Sequence, residues 1–119
     1  YKFGTYAVRA KEEAEANLLV EHAKVLEAAG CFAIVLEKIP ASLGALVAQQ
    51  VRIPIIGIGA GAGVDGQVLV MHDLLGITKN FSPRFLRRYL DLHSAILNAT
   101  KQYIQDVKQL DFPNNEEQY

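Results

Sequence analysis

The feature that most constrains the fold is a pair of short, almost wholly apolar runs, Cys31–Leu36 and Ile53–Gly59. Both are short for a helix and neither alternates apolar with polar residues, which favours strands buried on both faces, as in a parallel sheet. Helical periodicity covers Lys11–Ala29, where Gly30 predicts the helix end, and returns between the two runs, where Ser42 predicts a capped helix to about residue 50. Buried strands that alternate with helices predict an α/β fold built from βαβ units.

The second half of the chain carries weaker signals. Gln67–His72 is compatible with a third strand or with the start of a helix, and the strand is favoured. Ser82-Pro83 predicts a helix start, because a capping hydroxyl precedes a proline at the first helical position. A further helix is expected over Ser94–Gln109, and the tail from Asp111 to Tyr119 is expected to be loosely held.

The charge balance gives no reason to expect a polyanionic partner. Lys and Arg number 12 against 13 Asp and Glu, for a net charge of −1 at pH 7, so no overall field attracts nucleic acid or an anionic membrane. No apolar run approaches the roughly 20 residues of a membrane helix, and no signal-peptide pattern opens the sequence. Cys31 is the only cysteine, which excludes an intrachain disulfide. We therefore expect a cytoplasmic protein that binds neither nucleic acid nor membrane.

Glu37 is the most informative candidate for chemistry. This carboxylate directly follows the first apolar run, at the C-terminal end of a predicted central strand. In parallel α/β architectures that end of the strands carries the active site, and a carboxylate held there can act as a general base. The alternative interpretation is a solvated loop glutamate, or one that is paired with Lys38 or Lys11.

The glycine-rich stretch Gly57–Gly63 is the second candidate. Glycines at a strand end let the backbone approach a ligand, and exposed N–H groups can bind an anion. Gly57, Gly59 and Ala62 nominally match a dinucleotide-binding pattern, but no clean helix and acid-ended strand follow within the next stretch of sequence. A flexible strand-to-helix turn explains the glycines equally well.

His72-Asp73 is a third candidate. The pair is compatible with a metal or acid–base site, although an isolated His-Asp pair is more often a structural hydrogen bond. His22 and His93 lie on predicted helices without companion ligands at metal spacing. Cys31, at a strand start, is expected to be a small buried hydrophobic residue.

Several segments resemble the ketopantoate hydroxymethyltransferase family. Val35–Pro40 is similar to the family's strand-end motif, in which an acid lies between an apolar strand and a proline, and Ile53–Gly61 is similar to its glycine strand. Asp65–Asp73, followed by Gly76-Ile77, resembles its most distinctive segment, and Phe3–Tyr6 resembles its Phe-Gly-Gly-Tyr loop. The likeness runs through nearly the whole chain, in the family's order and spacing.

The resemblance implies an eight-fold β/α barrel of the phosphoenolpyruvate mutase and isocitrate lyase superfamily. It implies transfer of a hydroxymethyl group from methylenetetrahydrofolate to α-ketoisovalerate (3-methyl-2-oxobutanoate), which gives ketopantoate, a step of pantothenate and coenzyme A synthesis. A divalent metal, usually Mg²⁺, chelates the keto acid, and the family is typically a cytosolic homodecamer. The strand-end acid of the family is its proton acceptor, which corresponds to Glu37 here.

Other site assignments follow from the same resemblance. Gly59, Gly61, Asp65 and His72 are expected on the substrate or folate side of the barrel mouth. No metal ligand is assigned to this chain, because the family's metal-binding acids come from earlier strands. Lys38 departs from the cysteine or neutral residue of many members, and its ammonium group is expected either to fold towards Glu37 or to point outward.

The length of the chain limits what it can form alone. A complete barrel needs roughly 250 residues, so residues 1–110 are expected to be the C-terminal portion of one barrel domain, with 111–119 as its tail. The chain begins at Tyr1 and its only methionine is Met71, so we expect upstream residues or a split enzyme, with an N-terminal half as the required partner. The alternatives are a nucleotide- or phosphate-binding module and a non-catalytic assembly protein.

Overall fold

The computed structural model describes residues 9–10 and 12–119, which form two compact units, one ending at Leu69 and the other spanning Val70–Tyr119. The Phe3–Tyr6 segment and Lys11 lie outside the described residues. The elements, in chain order, are α1 (Glu13–Ala28), β1 (Ile34–Glu37), α2 (Ala41–Gln50), β2 (Ile55–Ile58), β3 (Gly66–Gln67), α3 (Met71–Leu74) and α4 (Leu92–Lys108).

The three strands form one parallel sheet in the order β1-β2-β3, which confirms the predicted α/β arrangement. In the register, Ile34 pairs with Ile55 and Glu37 pairs with Ile58. The carboxyl ends of β1 and β2 therefore lie side by side, and Glu37 is the last residue of its strand.

In the described part of the first unit, burial differs between the two faces of this sheet. Ile34 and Leu36 are buried, whereas the intervening Val35 is 62% exposed and Glu37 is exposed. The prediction of burial on both faces is thus wrong for β1, because the core forms on one side of the sheet only. That core contains, besides the two strand residues, Ala10, Ala23, Ile39, Leu43, Val47, Val51, Ile55 and Ala60.

The predicted C-terminus of α1 is correct, and the predicted N-terminal cap of α2 is wrong. Gly30 has φ +91° directly after α1, as a glycine at the left-handed end position should. Ser42 does not cap α2, because the carbonyl of Pro40 already accepts from the N–H groups of Leu43 and Gly44 and the helix begins at Ala41. Cys31 is half-buried rather than buried.

The ambiguous Gln67–His72 segment contains both alternatives. Strand β3 ends at Gln67, and the short helix α3 begins at Met71. The preference for a strand is therefore correct only at the first residue of the segment.

The helix predicted at Ser82-Pro83 does not form. A single turn, closed by the hydrogen bond from Leu86 N–H to the Pro83 carbonyl, stands in its place. The backbone N–H groups that follow donate instead to the end of α3, from Tyr89 to Leu74 and from Leu92 to Leu75 at 2.9 Å each. These tertiary hydrogen bonds replace the local ones that a helix would require.

Helix α4 begins earlier than predicted, at Leu92, and is capped by Asp91. The Ser94 hydroxyl (2.7 Å) and backbone N–H (3.1 Å) both donate to this carboxylate. These bonds, the hydroxyl's first, lower the pKa of Asp91 from its usual value. No residue of α4 is buried. No helix of the described part of the chain has the length and apolar content required to cross a membrane.

Candidate active site at the carboxyl edge of the sheet

Glu37 lies at the carboxyl edge of the sheet, on the face that the helices leave open. Side chains alternate between the two faces of a strand, so Glu37 shares its face with Val35, two residues earlier. Among the residues that the structure describes, no hydrogen bond or ion pair engages the Glu37 carboxylate. A carboxylate without such partners is available to a ligand.

The surface beside Glu37 is apolar. The parallel register sets Val35 next to Ile56 and Glu37 next to Ile58, and residues paired in this way point to the same face. Ile56 and Ile58 are only partly buried. The open face is therefore a strip of aliphatic side chains that ends in one acid, which is a surface suited to a small substrate with an apolar portion.

The turn immediately after Glu37 has an unusual backbone. Lys38 adopts φ +53°, in the left-handed region that is uncommon for residues other than glycine. Its N–H donates to the Ile58 carbonyl at 2.9 Å, and its carbonyl accepts from Arg9 N–H at 2.8 Å. The Lys38 residue is only 9% exposed. No ion pair joins it to Glu37 in the described part of the chain.

Sequence reasoning missed the segment that holds this turn. Glu15, in the first turn of α1, accepts from Ala10 N–H at 2.9 Å and forms an ion pair with the Arg9 guanidinium group. It thereby anchors Arg9, whose N–H donates to the Lys38 carbonyl, together with the adjacent Ala10. A left-handed lysine and a contact between distant segments have no local pattern, so nothing in the sequence predicts them.

The glycine-rich loop packs closely against α2. A Cβ on Gly61, which has φ +82°, would lie 2.4 Å from the Ala41 Cβ, and a Cβ on Gly44 would lie 2.4 Å from the Ala60 carbonyl oxygen. The Gln67 side-chain amide donates to the Gly61 carbonyl at 2.8 Å. Close packing therefore explains these glycines, and the phosphate-binding alternative gains no support from the geometry. Gly59, with φ +66°, directly follows β2 on the same edge as Glu37.

Asp65 contacts the opposite end of β2 from Glu37, and His72 belongs to the other unit. One Asp65 carboxylate oxygen accepts from the Ile55 N–H at 2.8 Å, at the amino end of β2, opposite to the end where Glu37 lies. That bond favours a structural role, and the substrate-side assignment of Asp65 stays a prediction without geometric support. His72 belongs to the second unit, where it is exposed, and the adjacent Asp73 is buried. Among the described residues, no hydrogen bond joins the two side chains.

The described residues contain no group of three or more His, Cys, Asp and Glu side chains that could hold a metal ion. The donor sets that divalent cations prefer in proteins are built from several such side chains together with carbonyl and water oxygens. The described residues thus form no such donor set among themselves.

Comparison with known proteins gives a consistent result along the whole chain. A family model described as ketopantoate hydroxymethyltransferase matches residues 1–115. The chain is 68% identical over 118 residues to the 3-methyl-2-oxobutanoate hydroxymethyltransferase of Porphyromonas gingivalis, covering 99% of this chain and 43% of the relative. It is 67% identical over 118 residues to the protein of the same name in Parabacteroides distasonis, covering 99% and 43%.

The Flavobacterium johnsoniae protein of that name is 63% identical over 119 residues, which covers 100% of this chain and 44% of the relative. The chain thus spans less than half the length of these curated relatives. Because the matched family model covers residues 1–115, the chain belongs to the ketopantoate hydroxymethyltransferase family.

Proposed function

We propose that this chain is the C-terminal portion of an enzyme that transfers a hydroxymethyl group from methylenetetrahydrofolate to 3-methyl-2-oxobutanoate, in pantothenate synthesis. Family membership and the shared name of the relatives support the transferase class and the keto acid. The folate cosubstrate and a divalent metal ion, Mg²⁺, are part of the proposal. The metal's ligands are proposed to lie outside this chain, because the family resemblance assigns the metal-binding acids to earlier strands.

The observation that carries the proposal is the Glu37 carboxylate, exposed at the carboxyl edge of the sheet and free of protein partners among the described residues. Glu37 is proposed to take the proton from the carbon next to the keto group. The resulting enolate carbon then forms a bond to the one-carbon unit of the folate. Overall, both bonds from the one-carbon unit to the folate nitrogens break, and water supplies the hydroxyl oxygen. The two nitrogens gain the proton taken by Glu37 and one proton from water, and ketopantoate and tetrahydrofolate are released.

The architecture proposed for the whole enzyme is a β/α barrel in which residues 1–110 are one portion. Strands β1 and β3 are the edges of the three-stranded sheet, and each leaves one side for a further strand. Closing the barrel would convert the open face of Val35 and Glu37 into its interior, with Glu37 at the mouth. The superfamily, the homodecamer and the cytoplasmic location belong to the same proposal.

A chimera tests this proposal directly. In it, the present chain replaces the matching 43% of the Porphyromonas gingivalis relative. We expect the chimera to form ketopantoate and the chain alone to form none. A folded but inert chimera would favour the assembly role, and tight dinucleotide binding by the chain alone would favour the nucleotide-binding module.

The role of Glu37 is tested by deuterium exchange at the keto acid's C–H, without folate, because this isolates the proton step. We expect Glu37→Gln in the chimera to slow exchange about a hundred- to ten-thousandfold, since the amide keeps the shape and loses the basicity. Glu21→Gln is the matched control, because Glu21 is an exposed surface glutamate paired only with Lys24 among the described residues. Undiminished exchange in Glu37→Gln would remove Glu37 from the mechanism.

A further inference from the structure

We infer that Lys38 is a positioning residue for Glu37 and that it acts through its left-handed backbone rather than through its ammonium group. The inference rests on the proposed function, because it assigns Lys38 a task only if Glu37 handles the proton. The observation behind it is the φ of +53° at the residue directly after the proposed base.

The first step of the argument is that this backbone conformation is imposed from two sides. The Lys38 N–H continues the sheet ladder to the Ile58 carbonyl at 2.9 Å, whereas its carbonyl leaves the ladder and accepts from Arg9 N–H at 2.8 Å. A non-glycine residue remains left-handed only where its surroundings determine it, and such residues concentrate at functional sites. Here the two hydrogen bonds are part of those surroundings.

The second step concerns what the turn achieves. Because Lys38 turns the chain out of the strand, Glu37 is the last strand residue, and the next residues, Ile39 and Pro40, lead away into α2. Ile39 is buried in the core on the helix-covered side. The turn therefore ends the strand at Glu37, so that the Glu37 carboxylate lies at the edge of the open face.

The third step separates backbone from side chain. Lys38 is buried while Glu37 is exposed, and no ion pair joins them in the described part of the chain. The lysine ammonium therefore does not orient the Glu37 carboxylate through a direct ion pair. Replacement of Lys38 by a residue that readily adopts positive φ should therefore preserve activity, whereas replacement by a residue that resists positive φ should lower it.

The experiment compares variants of the chimera at this one position. Lys38→Gly and Lys38→Asn accept the left-handed conformation, whereas the β-branched Lys38→Val resists it. We expect kcat within about threefold of the parent for the first two and a loss of about ten- to a hundredfold for Lys38→Val, since small misplacements of a catalytic group cost that much. KM for the keto acid and the pH dependence of kcat should stay close to the parent's.

The outcomes separate the possibilities. If Lys38→Gly and Lys38→Asn lose as much kcat as Lys38→Val, the side chain is required and the inference fails; a fully active Lys38→Val overturns it as well. If Lys38→Val does not fold, Lys38→Ala is measured in its place. The inference then requires a lower kcat for Lys38→Ala than for Lys38→Gly. Undiminished exchange in Glu37→Gln would instead reject the base assignment, whatever the Lys38 variants show.

Discussion

The two compact units of the chain bury their apolar side chains to very different extents. Every residue of the hydrophobic core lies between Ala10 and Ala60, where the helices and strands of the first unit pack on one another. In the second unit α4 has no buried residue, and Ile96, Tyr103 and Leu110 are at least half exposed. The first unit is therefore stabilised by its own core. The described contacts of the second unit include backbone hydrogen bonds to the end of α3, the Arg88 side-chain hydrogen bonds and the cap of α4.

Truncating one isoleucine in each unit tests this contrast most severely. Ile55 is 0% exposed and Ile104 is 46% exposed. We expect Ile55→Ala to lower the free energy of unfolding by about 2–5 kcal/mol, because it leaves a cavity in the core. Ile104→Ala should cost less than about 1 kcal/mol. Urea unfolding of the two variants, followed by circular dichroism, measures both, and equal costs would refute the contrast.

Adding one methyl group at Gly44 probes the packing of the first unit. The new Cβ would lie 2.4 Å from the carbonyl oxygen of Ala60, a buried residue of the glycine-rich loop. We expect Gly44→Ala to cost about 1–3 kcal/mol in the same unfolding measurement, because α2 and the loop must separate. Because Gly44 lies in a helix and has no positive φ, this cost reports the close contact and not backbone strain. A Gly44→Ala protein as stable as the parent would show that the loop is loosely packed.

Gly76→Ala is the corresponding change in the second unit. Gly76 has φ +69°, and its Cβ would lie 2.1 Å from the Leu90 carbonyl oxygen. We expect the Tyr89 and Leu92 amides, which donate to the end of α3, to exchange with solvent about tenfold faster, for a local cost of about 1.4 kcal/mol. Hydrogen exchange by NMR measures these rates. The same amides should be unaffected in Gly44→Ala; a loss of protection there would mean that the two units are not stabilised separately.

The smallest effect concerns the cap of α4. The pKa of Asp91 is lowered in the folded chain, chiefly by the Ser94 hydroxyl and then by the Ser94 N–H. A lowered pKa means that the capping stabilisation is complete above the unfolded value, near pH 4, and is lost as the pH falls through the folded value. The helicity difference between the parent and Asp91→Asn should therefore disappear at low pH. Circular dichroism from pH 6 downward measures it, and a difference that is constant with pH would argue against the ionised cap.

The parts of the fold that were predictable are those with local causes. The two apolar runs predicted neighbouring parallel strands, and Gly30 marked the end of α1, because side-chain burial and positive φ both leave a trace in residue type. The position of Glu37 at a strand end is confirmed on the same grounds, and its catalytic role remains a proposal. The Ser82-Pro83 helix failed because contacts with the end of α3 compete with local hydrogen bonds.

The sequence by itself determined the α/β class, the family and the acid that ends β1, since each depends on residue types in a short, ordered pattern. Only the tertiary structure decided which sheet face is open, where Asp65 binds and that Lys38 turns left-handed. The physical reason is that these features arise from hydrogen bonds and packing between segments far apart in the chain. The free energy of such contacts depends on geometry, which no local pattern of residues records.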